Sequence, residues 1–352
     1  MGLVVGGIYI EITSKCNLHC SYCYHGDCLN QTISELTMEK FESLLEQLSF
    51  LGISEIEFSG GEPTLHKNLI EMADMAKKRS FSLKLITNGI ELYKIDSESL
   101  HLFDEIAISL DGITAEEHNA VRGVNSFECL SRSLCKLQEF KLMDKVSFTV
   151  TVSKRNYQNI EQMIQYAIQC GAAGINFNNL HGTPNNDNSS FQDELLLGIE
   201  IRKINETIKE LKDKYGSNVE IVPLRNVGGD CPLLHDNENI RLRIDYKGSV
   251  FLCEGFCGDD FSIGNIYKKS LGDIIKGKEC EDIIGFIRNR INLVKECQSC
   301  LLKDVYCKGG CVADAYFKQK DCLCPDSGCE LRKRDMNRQL FKQLMNKKIV
   351  IK

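Results

Sequence analysis

Strand-like segments alternate with helical patterns through the first half of the chain, and this alternation restricts the fold more than any other feature. The strand-like segments are residues 3–13, 55–59, 83–87, 105–110, 146–152 and 175–178, and the helical patterns are residues 37–51, 68–79, 127–140 and 160–170. Six strand–helix units predict an α/β fold whose parallel sheet is covered by helices. Because a closed barrel of this kind needs eight units, we expect a partial (βα)6 barrel or an open sheet.

Cysteine is the unusual component of the composition, with 18 residues in a chain of 352. Residues 1–12 lack the basic start of a signal peptide, and no apolar run reaches the ~18 residues that a membrane span needs. We therefore expect a cytoplasmic protein that does not bind membranes and whose reduced, clustered cysteines bind metal. The net charge of −6 provides no basic surface for nucleic acid.

A C-x3-C-x2-C motif, formed by Cys16, Cys20 and Cys23, directly follows the first predicted strand. Three thiolates on one loop match three irons of a [4Fe–4S] cluster and leave the fourth iron for another ligand. A ferredoxin-type electron carrier supplies a fourth cysteine instead. A zinc site and redox-active thiols are the alternatives that this spacing leaves open.

Small and polar residues also follow the next three predicted strands. The motifs are Ser59-Gly60-Gly61-Glu62-Pro63, then Thr87-Asn88-Gly89, then Ser109-Leu110-Asp111-Gly112 with Arg122-Gly123 shortly after. Two adjacent glycines let the backbone approach a ligand closely, a glutamate can bind an ammonium group, and an arginine can hold a carboxylate with two hydrogen bonds. Because the carboxyl ends of parallel strands share one edge of the sheet, these motifs predict a single site there.

Taken together, these motifs over residues 9–180 resemble the radical S-adenosylmethionine (SAM) enzymes, which have a TIM-like partial barrel. In that family the open iron binds SAM, and an electron from the reduced cluster cleaves SAM to methionine and a 5′-deoxyadenosyl radical. The resemblance implies that Cys16, Cys20 and Cys23 hold the cluster. It implies that the SAM-binding residues are Tyr22 and Leu180 at the adenine, Gly60, Gly61 and Glu62 at the amino group, Ser109 and Arg122 at the carboxylate, and Asn88 beside them.

The second half of the chain carries 11 of the 18 cysteines, between Cys231 and Cys329, and its strand–helix alternation stops. Their order is similar to the SPASM domain, a cysteine-rich module that binds two auxiliary iron–sulfur clusters. The resemblance implies one cluster on Cys297, Cys300, Cys307 and Cys329, and another on Cys231, Cys253 and Cys311 with Cys257 as candidate fourth ligand. Six residues separate Cys300 from Cys307 where the family has five, and a zinc ribbon is the alternative.

Four cysteines, Cys28, Cys280, Cys322 and Cys324, have no assigned role, although the last two lie close enough to Cys329 to replace it. Cys129, Cys135 and Cys170 fall within helical patterns and are interpreted as packing residues. The predicted organisation is a radical SAM partial barrel over residues 1–190, a connecting helix or linker over 191–226, and a SPASM-type domain with a C-terminal helix over 227–352.

The predicted function is removal of a hydrogen atom from a peptide or protein, as in the maturation of ribosomally made peptides by thioether or carbon–carbon cross-links or by epimerisation. The resemblance makes Glu254, next to Cys253, a candidate proton acceptor. It also implies an external electron donor of the flavodoxin or ferredoxin type. Because only 15 residues precede Cys16, we expect no N-terminal peptide-recognition domain, so that a separate leader-recognition protein or direct binding selects the substrate.

Three other functions stay open on the sequence alone. A sulfatase-type formylglycine maturase and an enzyme that modifies tetrapyrrole side chains share the same motifs. A non-enzymatic iron–sulfur electron carrier is the alternative outside the enzymes, and it predicts that SAM is not cleaved.

Overall fold

The structure, a computed structural model, describes residues 3–26, 29–180, 193–224, 231–235, 239–256 and 258–336. The strands are β1 (Val4–Glu11), β2 (Glu55–Ser59), β3 (Ser82–Thr87), β4 (Glu105–Ser109), β5 (Val146–Val152), β6 (Gly174–Asn179), β7 (Glu220–Val222), β8 (Asn239–Ile244), β9 (Ser249–Phe251) and β10 (Gly264–Asn265). The helices are α1 (Met38–Phe50), α2 (Leu69–Lys77), α3 (Ser97–His101), α4 (Ala115–Arg122), α5 (Ser126–Glu139), α6 (Ile160–Cys170), α7 (Gly198–Tyr215), α8 (Leu271–Ile275), α9 (Lys278–Asn289) and α10 (Val312–Gln319). Residues 329–336 are also helical.

All ten strands form one sheet, in the order β10-β9-β8-β1-β2-β3-β4-β5-β6-β7. Neighbours from β8 through β1 to β7 are parallel, and β9 is antiparallel to both β8 and β10. The two end strands are different elements, β7 and β10, so the sheet is open over the described residues. The predicted α/β fold with a parallel sheet is confirmed.

The strands have one face in the main hydrophobic core and one inner face that carries polar groups. Along β1, the fully buried Ile8 and Ile10 belong to the core cluster, whereas Tyr9 and Glu11 alternate with them and lie on the inner face. Helix α1 contributes Phe41 and its neighbours Leu44, Leu45 and Leu48 to the same core. Thr37 caps this helix, and its side chain accepts a hydrogen bond from the backbone N–H of Lys40 at 3.2 Å.

The sheet is larger than the six predicted strands, because β7 and β8 extend it on opposite sides. Strand β8 comes from the cysteine-rich half of the chain and lies beside β1, where Arg243 is the register partner of Tyr9. The predicted domain boundaries at residues 190 and 226 stay predictions. Strands that precede and strands that follow each boundary in the sequence belong to the same sheet. Helices α3 and α4 are further elements that the periodicity did not predict, since they have only five and eight residues. Among the described residues, no helix is long and apolar enough to cross a membrane.

Two phenylalanines of α1 provide a matched test of the core. Phe41 is fully buried and Phe50 is 89% exposed. We expect Phe41→Ala to lower the free energy of unfolding by about 3–5 kcal/mol, because it leaves a cavity in the core. Phe50→Ala is the control and should change it by less than about 0.5 kcal/mol. Urea unfolding of the metal-free chain measures both, and equal midpoints for the two variants would contradict the packing described here.

Candidate active site

The loop after β1 brings Cys16, Cys20 and Cys23 together at the carboxyl edge of the sheet. All three side chains are half-buried. Burial raises the pKa of Cys16 to about 12, and the charges of Cys20 and Cys23 contribute to the rise, so the three thiols lie within electrostatic range of one another. Within the described ranges no three His, Cys, Asp or Glu side chains converge on one metal ion. A [4Fe–4S] cluster does not require this, because each cysteine binds a different iron.

Backbone and side-chain hydrogen bonds fix the shape of this cysteine loop. The N–H of Cys16 donates to Oδ1 of Asn30 at 3.0 Å, and Nδ2 of Asn30 donates back to the carbonyl of Cys16 at 2.9 Å. The N–H of Ser21 donates to the carbonyl of Val121, which ties the loop to α4. Asn30 was not identified from the sequence. Its backbone has a positive φ of 63°, and this feature is visible only in the folded chain.

The glycine pair after β2 packs directly against the cysteine loop. The N–H of Gly61 donates to the carbonyl of Thr13 at 2.8 Å, and the N–H of Glu62 donates to that of Lys15 at 2.7 Å. A Cβ atom on Gly60 would lie 2.4 Å from the Thr13 carbonyl, and one on Gly61 would lie 2.3 Å from that of Lys15. The sequence predicts that these glycines let the backbone approach a ligand closely. In the fold, their lack of side chains lets the backbone of the neighbouring loop approach.

Glu62 is held in one orientation beside Cys16 by donors from two loops. Its Oε1 accepts from the N–H and hydroxyl of Thr64 and from the hydroxyl of Thr87, and its Oε2 accepts from the N–H of Asn88 at 2.8 Å. Burial raises the pKa of Glu62, and these hydrogen bonds oppose the rise. The charge of Glu62 in turn contributes to the raised pKa of Cys16. The side chain of Asn88 donates to Oδ1 of Asn17 at 2.8 Å, next to the first cysteine.

Arg122 lies on the other side of the cysteine loop, at the end of α4. Its Nε donates to Oδ2 of the buried Asp111, and its Nη2 lies 3.4 Å from the hydroxyl of Tyr22. Asp111 is fixed by the N–H of Thr151, which donates to Oδ1 at 2.9 Å. Burial raises the pKa of Cys20, and the charge of Arg122 opposes this rise, which places the guanidinium near the second cysteine. Asp111 was present in the predicted motif but was not assigned a role.

The other predicted SAM-binding residues lie along the same edge. Ser109 ends β4 and is half-buried. Leu180 follows β6, and its N–H donates to the carbonyl of Val152 at 3.2 Å. Leu180 and Tyr22 line one small cavity between β6 and the cysteine loop. The fold therefore brings Tyr22 and Leu180 together, and Glu62 and Arg122 lie next to different cysteines.

Glu254 and the cysteine loop meet across the inner face of the sheet. The hydroxyl of Tyr24 lies 3.2 Å from the carbonyl of Glu254 and 3.3 Å from that of Phe256, and Nη1 of Arg243 donates to the same hydroxyl at 2.8 Å. Burial raises the pKa of Tyr9, and the charge of Glu254 is among the causes that raise it further. The Glu254 carboxylate therefore lies near the inner face.

Four cysteines of the C-terminal half lie close together. Burial raises the pKa of Cys297, and the charges of its three neighbours contribute, namely Cys307, Cys329 and Cys300. Cys322 and Cys324 interact with each other and with Asp321 and Arg290, and none of the four cysteines is among the causes that shift their pKa values. The structure thus places Cys329 within electrostatic range of the other three cysteines.

Of the remaining predicted ligands, Cys253 and Cys311 lie within electrostatic range of each other. Burial raises the pKa of Cys311 to about 11, and the charge of Cys253 contributes to it. The Sγ of Cys253 accepts a hydrogen bond from the N–H of Gly255 at 3.3 Å. Cys231 is half-buried and packs against the core. Cys257 and Cys28 lie outside the described residues.

Arg290 joins the loops that carry these cysteines, although no sequence signal identified it. Its side chain is 1% exposed, and its guanidinium donates to the carbonyls of Cys322, Gly309 and Cys324. The buried Asp326 has a similar role, since its carboxylate pairs with Arg332 and accepts from the N–H of Cys311 at 3.0 Å. Buried polar groups with complete partners hold this region together where apolar packing is sparse.

Family models and known proteins were compared with the chain. The model of the radical SAM superfamily matches residues 10–167, and that of SPASM, an iron–sulfur cluster-binding domain, matches residues 231–301. The chain therefore contains a radical SAM domain and a SPASM domain. Both predicted resemblances are confirmed, as are the predicted cofactors of these domains: SAM, a [4Fe–4S] cluster in the radical SAM domain, and auxiliary iron–sulfur clusters in the SPASM domain.

Three relatives illustrate the similarity. Mycofactocin maturase of Mycolicibacterium smegmatis is 26% identical over 91% of this chain and 81% of its own length. The antilisterial bacteriocin subtilosin biosynthesis protein of Bacillus subtilis is 25% identical over 75% of this chain and 58% of its own length. The structure of anSMEcpe with bound AdoMet and the Kp18Cys peptide superimposes with a TM-score of 0.71 at 19% identity, covering 97% of this chain and 98% of that one. This likeness shows that the two chains share one fold over nearly their whole length.

The contact between the two loops yields a test. We expect Gly60→Ala to prevent loading of the first cluster, because the added Cβ atom collides with the Thr13 carbonyl at a φ of +141°. The reconstituted variant should hold roughly four irons fewer than the unmodified protein, measured by iron analysis. Gly52→Ala is the control, since Gly52 also has a positive φ but has no atom within 4 Å of the added Cβ. Equal iron contents in the two variants would show that the contact is not needed.

Proposed function

We propose that this enzyme modifies a peptide, that Cys16, Cys20 and Cys23 hold its SAM-binding cluster, and that the surrounding edge of the sheet binds SAM. The observation that carries the proposal is the position of Glu62 and Arg122, one anionic and one cationic, on either side of three half-buried thiols. Burial disfavours the thiolate form in the metal-free chain, and bound iron would supply the positive charge that stabilises it. When bound, the cluster and SAM supply the electron transfer and hydrogen-atom abstraction of this family.

Within this proposal Glu62 receives the ammonium group of SAM. Oε1 already accepts three hydrogen bonds, whereas Oε2 accepts one, from the N–H of Asn88. A carboxylate oxygen accepts more than one donor, so Oε2 is the atom that we assign to the ammonium group. Gly60 and Gly61 place Glu62 at this position, and Asn88 orients it from the next loop.

Arg122 receives the carboxylate of SAM, with Ser109 as a further donor. Its contact with Asp111 uses Nε, which leaves the Nη side of the guanidinium directed toward the cysteine loop, where Nη2 meets Tyr22. A guanidinium has five N–H donors and therefore binds a second carboxylate without releasing the first. Asp111 keeps the buried Arg122 in place when no ligand is bound. Tyr22 and Leu180, which share one cavity, flank the adenine.

The SPASM cysteines hold the auxiliary clusters in the predicted sets. The closed set is Cys297, Cys300, Cys307 and Cys329, and the second set is Cys231, Cys253 and Cys311 with Cys257. Glu254 is the residue that accepts a proton from the substrate, since its carboxylate lies near the inner face. An external electron donor reduces the first cluster, and either a separate leader-recognition protein or the enzyme itself selects the peptide.

A peptide is the substrate class that the relatives favour. The two sequence relatives that cover three-quarters of this chain or more are named a maturase and a bacteriocin biosynthesis protein. The structural relative was determined with a peptide bound. The open sheet agrees with this class, because an extended chain reaches the inner face from the side as well as from the carboxyl edge.

The test is anaerobic reconstitution with iron and sulfide, followed by reduction and addition of SAM. We expect roughly twelve irons per chain and formation of 5′-deoxyadenosine. Replacing Cys16, Cys20 and Cys23 together by alanine should abolish 5′-deoxyadenosine and remove roughly four irons. The control replaces Cys129, Cys135 and Cys170, which lie on α5 and α6, and should retain both properties.

Substrate class is tested with the short peptides encoded beside the gene. Mass spectrometry should detect a SAM-dependent change in one of them, such as the loss of two hydrogen atoms on cross-linking. Continued cleavage of SAM by the triple variant of Cys16, Cys20 and Cys23 would disprove the assignment of the first cluster. Cleavage of SAM with no change in any such peptide would instead count against a peptide substrate.

A further inference from the structure

Charged side chains line the inner face of the sheet at β1, β2 and β8. In a closed (βα)8 barrel this space is filled by layers of large apolar residues. Here Tyr9 and Glu11 of β1, Glu57 of β2 and Arg243 of β8 alternate along their strands with residues of the hydrophobic core. Glu57 is 7% exposed and Glu11 is 1% exposed. Such a lining is unfavourable without polar partners, so it indicates a space that receives a polar ligand.

Ion pairs compensate only part of the charge. Nε of Arg243 lies 2.8 Å from Oε1 of Glu11, and Nη1 of Arg241 lies 3.0 Å from Oε1 of Glu57. Nη2 of Arg241 also contacts Glu55, at 3.0 Å, farther toward the start of β2. On β3 and β4, Lys84 and Glu105 form a neutral pair at 2.9 Å.

The remaining charge is negative. Together with Glu254, the carboxylates of Glu11, Glu55 and Glu57 outnumber the guanidinium groups of Arg241 and Arg243 by two. Asp245, at the end of β8, adds another acidic group, whose pKa is raised to about 6 by burial and then by the charge of Glu11. His25 lies 3.5 Å from Oε1 of Glu11, and even its protonated form would leave an excess of negative charge.

One carboxylate oxygen at this face lacks a partner altogether. Oε2 of Glu11 is fully buried and has no hydrogen-bond partner among the described residues. Its companion Oε1 accepts from Arg243. Buried carboxylate oxygens are nearly always hydrogen-bonded, because an unsatisfied charged acceptor costs more than the hydrogen bond it would form. This oxygen is therefore open to a donor from a water molecule, from a residue outside the described ranges or from a bound ligand.

The acidic groups lie close to one another around β1 and β2. Tyr9 is two residues before Glu11 on the same face of β1, and it is the register partner of Glu57 on β2. Burial raises the pKa of Tyr9, followed by the charges of Glu11 and Glu254. Burial also raises the pKa of Glu57, with Glu254 among the further causes. Glu254 is thus within electrostatic range of both strands, beside the loop that carries Tyr24.

We propose that Glu11 and Glu57, next to Glu254, form a subsite for a basic side chain, lysine or arginine, of the peptide substrate. This inference rests on the proposed function, since it specifies the peptide that the same site accepts. An ammonium or guanidinium group carries several N–H donors and one positive charge. It supplies both the donor that Oε2 of Glu11 lacks and part of the missing positive charge. The subsite lies beside the cysteine loop, so the basic residue is near the residue that reacts.

The experiment measures which peptides the loaded enzyme retains. The reconstituted, immobilised full-length protein with SAM is exposed to a random peptide library that is acetylated and amidated at its ends, and the retained peptides are sequenced by mass spectrometry. We expect lysine and arginine to be enriched about tenfold over uncharged residues at one position, as for a buried charge-assisted contact. Blocked ends exclude terminal amines as the source of the signal.

The matched variants are Glu57→Gln and Glu55→Gln, which remove one carboxylate each from the same Arg241. Glu57→Gln should remove most of the enrichment, and Glu55→Gln should preserve it, because Glu55 is largely exposed. Glu254→Gln is the second test variant, should Glu57→Gln fold poorly by its iron content, and it should also weaken the enrichment.

Three outcomes overturn the subsite. The first two are no enrichment of basic residues and enrichment of acidic residues. The third is a preference for basic residues that persists in both Glu57→Gln and Glu254→Gln, because such a preference would reflect the overall charge of −6. Formation of 5′-deoxyadenosine is assayed on the same preparation. A protein that cleaves SAM but shows no basic preference disproves the subsite alone, and a protein that does not cleave SAM disproves the proposed function.

Discussion

The close approach of two backbone segments at the carboxyl edge of the sheet determines the geometry of the rest of the site. Parallel pairing of β1 and β2 brings the ends of both strands to the same level, and the absence of side chains at Gly60 and Gly61 allows the following loops to touch. Two backbone hydrogen bonds then close the contact. Since Glu62 directly follows this glycine pair, its carboxylate is carried to the first cysteine, and a wider separation of the loops would move the anionic group away from the thiols.

A second constraint connects the two halves of the chain. Strand β8 comes from the cysteine-rich half but pairs with β1, the strand that leads into the cysteine loop. Arg243 of β8 reaches both Glu11 at the end of β1 and Tyr24 in that loop. The segment after Cys253 is attached to the same tyrosine. The first cluster site and the SPASM region are therefore positioned by one buried arginine and one strand pairing, so a shift of β8 would change both.

The main strands and helices could be predicted because the sequence signals for each of them lie within the element or next to its ends. The bounds of β2, β5 and α6 match the sequence prediction, since each element has a clear periodicity and a clear stop, such as Gly171 after α6. The pairing of β8 with β1 was not predicted, because alternation within a strand does not identify its neighbour. Asn30, Asp111 and Arg290 were missed for a related reason: each acts by contacting a segment distant in the sequence or by neutralising a charge, and residue type alone does not reveal such partners.

The raised thiol pKa values determine the charge of the cysteine loop in the absence of metal. If Cys16, Cys20 and Cys23 were ionised in the metal-free chain, three negative charges would lie beside Glu62 in a partly buried loop. Burial keeps the thiols protonated and neutral, so the loop docks on the glycine pair without this repulsion. Cys311 and Cys297 are in the same condition, with Arg290 and Asp326 fixing their loops by neutral or paired contacts. Because iron binds thiolates, loading the clusters releases these protons and is coupled to the fold that buries the thiols.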